Sequence, residues 1–434
     1  MLYSFVRPLA TIGIYIFYRK VYLSNAHLIP KNKPVILAAN HPTGFMEPCI
    51  LACYLDRPLY FLVRGDLFKK PVYKKLLHWL HMLPVYRVKD GGFSVLKNNF
   101  ETFDYCYDAL KQQKTLMILA EGSAEHEKRL RPLKKGTARV ALGTLDRYTD
   151  LEEVYIVPTG VNYTYAEKPR SEVMIDFGAP IRASDFMAAY RENPNQGIAD
   201  LTEALANKLK ERIVIIERKE DEALTEHLLL LSRNDEQGVF PILNRSHSFL
   251  EKEKRIANAV NKMPASQRAE LLQKTNLYFN KLKDKGLGRD VFAAKKQSRV
   301  GAIIFLVLGL LPFVAAALLS YLPLKIAKNI TQKRVRRVEF YAPVLWAVSL
   351  GTYLIYALLW LLLAILLKSW LLFGILAILP ILTYFAILYK EIYKNWKEDR
   401  ILRALSPLEK EKLQAARAAA WTSFQQWNEA QASA

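Results

Sequence analysis

Cysteine is scarce: Cys49, Cys53 and Cys106 are the only three in 434 residues. An odd number without a second spaced pair excludes a disulfide framework and speaks against a zinc site. Cys49 and Cys53 lie in an apolar stretch and read as packed thiols in a reducing compartment. Acidic residues are few beside basic ones, 41 against 62, which leaves a net charge of +21. That surplus points to an anionic partner. No nucleic-acid motif accompanies it, so a bilayer face or a phosphorylated small molecule is expected and nucleic acid is not. No signal peptide is expected either: the uncharged stretch Pro8–Tyr18 is short, Arg19 and Lys20 close it, and no small-residue cleavage site follows. The Gly-x-Ser-x-Gly elbow of serine hydrolases is absent near His41. His78 and His81 lack a third partner for a metal, and no metal or cofactor is expected.

What the chain does contain is unevenly distributed. Long apolar runs fall between Val300 and Tyr389, whereas residues 25–298 have an ordinary water-soluble composition. Phe340–Leu367 and Ser369–Tyr389 are separated by Lys368 alone and are each long enough to cross a bilayer of about 30 Å. Lys333, Arg334, Arg336 and Arg337 precede this pair; Lys390, Lys394, Lys397, Arg400 and Arg403 follow it. By the positive-inside rule both ends of a hairpin at 339–389 face the cytoplasm, as does a helical tail at 390–434. The run 300–324 has basic residues on both flanks, with Gly309 and Pro312 in its middle. It reads as a re-entrant helical hairpin or, alternatively, as a plain span. The amino-terminal residues 1–24 read as an interfacial amphipathic helix carrying Phe5, Leu9, Ile12, Ile16 and Phe17 on one side. The expected protein is an integral membrane protein with its soluble part on the cytoplasmic face.

Residues 25–185 alternate short, continuously apolar runs with helical patterns. The runs are Pro34–Ala39, Leu59–Val63, Thr115–Leu119, Val154–Val157 and Val173–Phe177; the helical stretches include Phe68–His81 and Phe93–Gln112. Strands apolar on both faces, alternating with helices, predict an α/β domain with a mostly parallel sheet flanked by helices. Residues 186–299 are helical and highly charged, with Asp200–Leu230 reading as one solvated amphipathic helix. The segment Asn40-His41-Pro42-Thr43-Gly44-Phe45-Met46-Glu47-Pro48 follows the first buried run, which puts His41 at the carboxyl edge of a strand, where open α/β sheets bind ligands. A histidine there is suited to taking a hydroxyl proton, and Glu47 is the acid near enough in sequence to hold its ring.

The stretch His41 to Glu47 resembles the His-to-acid signature of the phospholipid/glycerol acyltransferase (PlsC-like) family, and three further blocks follow in that family's order. They are Leu83-Pro84-Val85-Tyr86-Arg87, Leu119-Ala120-Glu121-Gly122-Ser123 and Ile156-Val157-Pro158. The resemblance implies that His41 is the general base and Glu47 its partner. Arg87 would contact the acceptor's phosphate, Glu121 would accept from a substrate hydroxyl or organise Arg87, and Gly122 with Ser123 would sit against the substrate, the Gly122 amide facing the developing oxyanion. Two departures stand out. Five residues rather than four separate His41 from an acid that is Glu rather than Asp, a spacing similar to that of yeast-type glycerol-phosphate acyltransferases. The third block also lacks its Phe-Pro opening and its following Arg; a cation from among Lys128, Arg129, Arg131, Lys134 and Lys135 could replace the latter. The implied reaction moves a fatty acyl group from acyl-CoA or acyl-carrier protein to glycerol 3-phosphate or 1-acylglycerol 3-phosphate, with membrane lipid as partner. Another lysolipid acceptor, or an inert lipid-binding protein of this fold, are the alternatives.

Overall fold

The computed structural model describes residues 2–86, 99–233, 242–288, 292 and 298–433. They form two compact units. The first comprises Met1–Val214, Ile242–Leu250 and Ile330–Leu350; the second comprises Ile215–Pro241, Glu251–Asn329 and Gly351–Ala434.

The first unit is built on a nine-stranded sheet. Its strands are β1 (Lys20–Ser24), β2 (Val35–Ala39), β3 (Leu59–Arg64), β4 (Met82–Val85), β5 (Thr115–Leu119), β6 (Tyr155–Tyr163), β7 (Glu172–Phe177), β8 (Ile181–Arg182) and β9 (Leu243–Asn244). The order is β4-β3-β5-β2-β6-β7-β1-β9, with β8 beside β6. All described pairings are parallel except β6 with β7 and β6 with β8. The helices are α1 (Leu2–Phe17), α2 (Met46–Tyr54), α3 (Pro71–Trp79), α4 (Asn99–Lys111), α5 (Gly136–Arg147), α6 (Met187–Glu192) and α7 (Pro194–Lys210).

Strand β2 shows why its sequence is apolar without alternation. Val35, Leu37 and Ala39 enter one core with Ile14, Ile50 and Leu51, while Ile36 and Ala38 enter the other with Leu110, Leu142 and Leu205. Both faces are dry, so every position is apolar. The second core includes α7, so the sheet unit runs on beyond residue 185. The single helix expected over Asp200–Leu230 is broken: α7 stops at Lys210 and α8 (Glu222–Ser232) starts anew. Between them Ile213, Val214 and Ile216 are buried, and Val214 N–H donates to Asn162 Oδ1 at 2.8 Å. Burial of this β-branched run and the tie to β6 outweigh the helical charge ladder. Helix α1 buries Tyr3, Ala10, Ile14 and Phe17 and leaves Phe5 and Ile12 exposed.

The second unit is helical. Besides α8 it holds most of α9 (Ser248–Lys262), with α10 (Ala265–Asp284), α11 (Arg299–Leu308) and all but the last turn of α12 (Leu310–Arg334). The greater part of α13 (Tyr341–Leu366), α14 (Trp370–Ala404) and α15 (Pro407–Ser433) complete it. Helix α12, the stretch Val338–Leu366 and α14 are each long and apolar enough to cross a membrane. Ser320 and Thr383 hydroxyls meet at 3.0 Å and Tyr353 reaches Thr383 at 3.4 Å, polar links of the kind that hold membrane helices together. The segment 300–324, expected to be re-entrant or spanning, consists of α11 and the first part of α12. Gly309 alone separates α11 from α12; its N–H donates to Phe305 O and its carbonyl accepts from Phe313 N–H, both at 2.9 Å. Hydrogen bonds of the i to i−4 type are thus kept on each side of Gly309.

Candidate active site

Neighbouring parallel strands β2 and β5 place Ala39 opposite Leu119, so Asn40-His41 and Ala120-Glu121 leave the sheet side by side. Asn40 extends the ladder by one step. Its side chain donates to Val161 O at 2.9 Å and accepts from Val161 N–H at 2.7 Å. This fixes the backbone entering His41. His41 N–H then donates to Glu121 Oε2 at 2.8 Å, and its carbonyl accepts from Glu125 N–H at 3.1 Å. The His41 ring is nearly buried at the carboxyl edge of the sheet.

Helix α2 begins just beyond and carries Glu47 in its first turn. Glu47 Oε2 lies 3.9 Å from His41 Nδ1, so the structure brings these two residues together across the five-residue spacing. At that separation the two groups are close but not hydrogen-bonded. The other oxygen, Oε1, accepts from the Thr43 amide and the Thr43 hydroxyl, both at 2.8 Å. The same hydroxyl accepts from Met46 N–H at 3.2 Å. Burial raises the Glu47 carboxyl to about 7, against the pull of the Thr43 hydrogen bonds. Thr43 was not singled out in the sequence; its position one helical turn before Glu47 was the available signal.

Glu121 is committed to the protein. Oε2 accepts from His41 N–H and from Arg131 Nη2, the latter at 2.7 Å, and Oε1 accepts from Arg131 N–H at 2.9 Å. Among the cations following the third block, Arg131 is the one on this carboxylate. It also donates from Nη1 to Ser123 Oγ at 3.1 Å and from Nη2 to the Ser123 carbonyl. Through Arg131, Glu121 and Ser123 brace the loop that carries His41. Gly122 has φ +72°, a left-handed conformation that favours glycine, but its amide donates to Leu119 O at 3.1 Å. Arg87 lies outside the described residues.

A clamp invisible in the sequence comes from the chain entering α13. Gly44 N–H donates to Glu339 O at 2.8 Å, and Arg337 Nη2 donates to Ala124 O at 2.7 Å and meets Glu125 Oε1 at 3.2 Å. The Phe340 ring lies flush on Gly44, where an added Cβ would come within 2.5 Å of it. Both loops framing His41 are thus tied to the same short segment more than 200 positions later in the chain. Beside His41, a pocket is lined by Asn40, Pro42, His126, Lys128, Arg129 and Tyr163.

The sequence profile of the Acyltransferase family matches residues 20–162. Those residues are an acyltransferase-family domain. Strands β1 to β5, all of β6 but its last residue, and His41, Glu47 and Glu121 fall within the match. The chain is 36% identical over 88 residues to "Glycerol-3-phosphate O-acyltransferase 1" of Saccharomyces cerevisiae, a stretch that is 20% of this chain and 12% of that protein. It is 29% identical over 113 residues to "Glycerol-3-phosphate O-acyltransferase 2" of the same yeast, 26% of this chain and 15% of that protein. The chain thus spans only a small part of either yeast protein. The crystal structure of the 1-acyl-sn-glycerophosphate acyltransferase PlsC from Thermotoga maritima aligns with a TM-score of 0.32 at 18% identity, over 44% of this chain and 73% of that one.

Proposed function

We propose that this protein is a membrane-bound O-acyltransferase. It would move a fatty acyl group from an acyl-CoA or acyl-carrier-protein thioester to a hydroxyl of glycerol 3-phosphate or 1-acylglycerol 3-phosphate, with its catalytic domain on the cytoplasmic face. The observation that carries the reading is His41 set against the buried Glu47 at a strand end of an acyltransferase-family domain.

Nδ1 of His41 faces Glu47, which leaves Nε2 to take the proton of the acceptor hydroxyl. The freed oxygen attacks the thioester carbonyl, the carbon–sulfur bond breaks, and the imidazolium returns its proton to the departing thiolate. Glu47 steadies the imidazolium while it exists. Lys128 and Arg129 line the pocket beside His41 together with Glu127, which pairs with Arg129 at 3.1 Å; the resemblance gives the phosphate contact to Arg87. The yeast names and the spare basic charge of the chain both support a glycerol-phosphate acceptor.

The test is purified full-length protein in nanodiscs, offered glycerol 3-phosphate, lysophosphatidate and other lysolipids with both thioester donors. Turnover on a glycerol-phosphate acceptor, lost in His41→Ala with the melting curve preserved, is the expected result. No acyl transfer to any acceptor, or equal turnover in the variant, overturns the reading.

A further inference from the structure

Helix α3 connects the parallel neighbours β3 and β4, a position in which a crossover helix ordinarily buries one face on the sheet. It does not: none of its residues is buried, and every residue from Lys69 to Leu76 is exposed. Val72, Leu76 and Trp79 recur at helical spacing with Tyr73 beside them, and they are 76%, 43%, 54% and 52% exposed respectively. Leu67, just upstream, is 48% exposed. Isolated apolar side chains on a surface are ordinary, but a contiguous apolar stripe marks a contact.

The charges around that stripe indicate what it contacts. From Leu67 to Lys89 the sequence contains no acidic residue, whereas Lys69, Lys70, Lys74 and Lys75 surround the stripe. Lys70 Nζ lies over the Tyr73 ring at 5.6 Å and Lys75 Nζ over the Trp79 ring at 5.0 Å. An apolar face carrying aromatic rings with lysines beside them is the composition of a helix that lies in a headgroup layer. At the far end of α3, His81 stacks between Tyr60 at 4.5 Å and Tyr3 of α1 at 4.6 Å. The apolar surface therefore adjoins α1, whose outward residues include Phe5.

We propose that α3 is an interfacial anchor which lies in the surface of an anionic bilayer, Val72, Tyr73, Leu76 and Trp79 entering below the headgroups and the lysines pairing with lipid phosphates. The strand before it ends at the same sheet edge as His41, so this seating would hold the candidate site against the layer that supplies lipid substrates and receives products. The inference rests on the membrane placement of the chain and stands or falls without reference to the acyl acceptor.

It is tested with the full chain in nanodiscs of phosphatidylcholine with or without phosphatidylglycerol. An environment-sensitive fluorophore is attached at Val72→Cys, and labelled wild-type protein supplies the background from native cysteines. The expected result in anionic discs is blue-shifted emission quenched by lipids carrying a nitroxide near the headgroup, with the quenching lost in K70E/K74E/K75E and weakened by salt. Water-like, unquenched emission in both disc types overturns the proposal. So does emission that is shielded from water yet unquenched and dependent on protein concentration, which would identify a second copy as the partner.

Discussion

Replacing Glu47 by Gln separates two effects that the structure joins in one carboxyl group. The wild-type group is fully buried and titrates near 7 rather than its ordinary 4.5. At about 1.4 kcal/mol for each pKa unit, that difference is worth ~3 kcal/mol. Because the folded value is raised, the stabilising contribution is complete below the unfolded value and is lost as pH rises through about 7. The wild-type melting temperature should therefore fall between pH 5 and 8 relative to Glu47→Gln, which stays neutral throughout. Activity should move the other way. An imidazolium 3.9 Å from a carboxylate gains about 4 kcal/mol at an effective dielectric of about 20, so kcat in the Gln variant should drop by as much as ~10³-fold. Melting curves across this pH range and steady-state kinetics above pH 8 read the two effects. A melting difference that does not change with pH refutes the buried-carboxyl reasoning; a kcat near wild type refutes the dyad.

Other outcomes follow from the braces. Arg131→Ala leaves the Glu121 carboxylate buried without its cation and should cost ~3 kcal/mol, with Arg131→Lys intermediate because it loses the fork to Ser123; an unchanged melt would show Glu121 satisfied elsewhere. Gly44→Ala should drive Phe340 off the His41 loop and lower kcat, with partial recovery when Phe340→Ala is added; additive losses in the double variant would rule out the clamp. If α11 and α12 pass through the bilayer, cysteines placed at Ser298 and Gln332 should react with an impermeant thiol reagent from opposite sides. Same-side labelling would establish the re-entrant arrangement.

Much of this protein is written locally. Alternating apolar runs and helical patterns determined a mostly parallel α/β sheet, because strands dry on both faces tolerate no polar alternation. The spanning runs were equally plain, since length and apolarity alone decide whether a helix can cross. His41 and Glu47 were legible as a pair because one strand end and one helical turn separate them. Tertiary structure decided what depended on distant partners. It selected Arg131 from a run of similar cations, turned Glu121 inward to hold His41 N–H, and committed the Gly122 amide to a tight turn. It closed both loops of the site with Arg337, Glu339 and Phe340, an association no local pattern encodes. Among the described residues it also gave α3 no covering partner, although its sequence reads like that of any crossover helix. Periodicity states that a face is apolar; only the packed chain decides whether that face meets a sheet, a loop or a lipid surface.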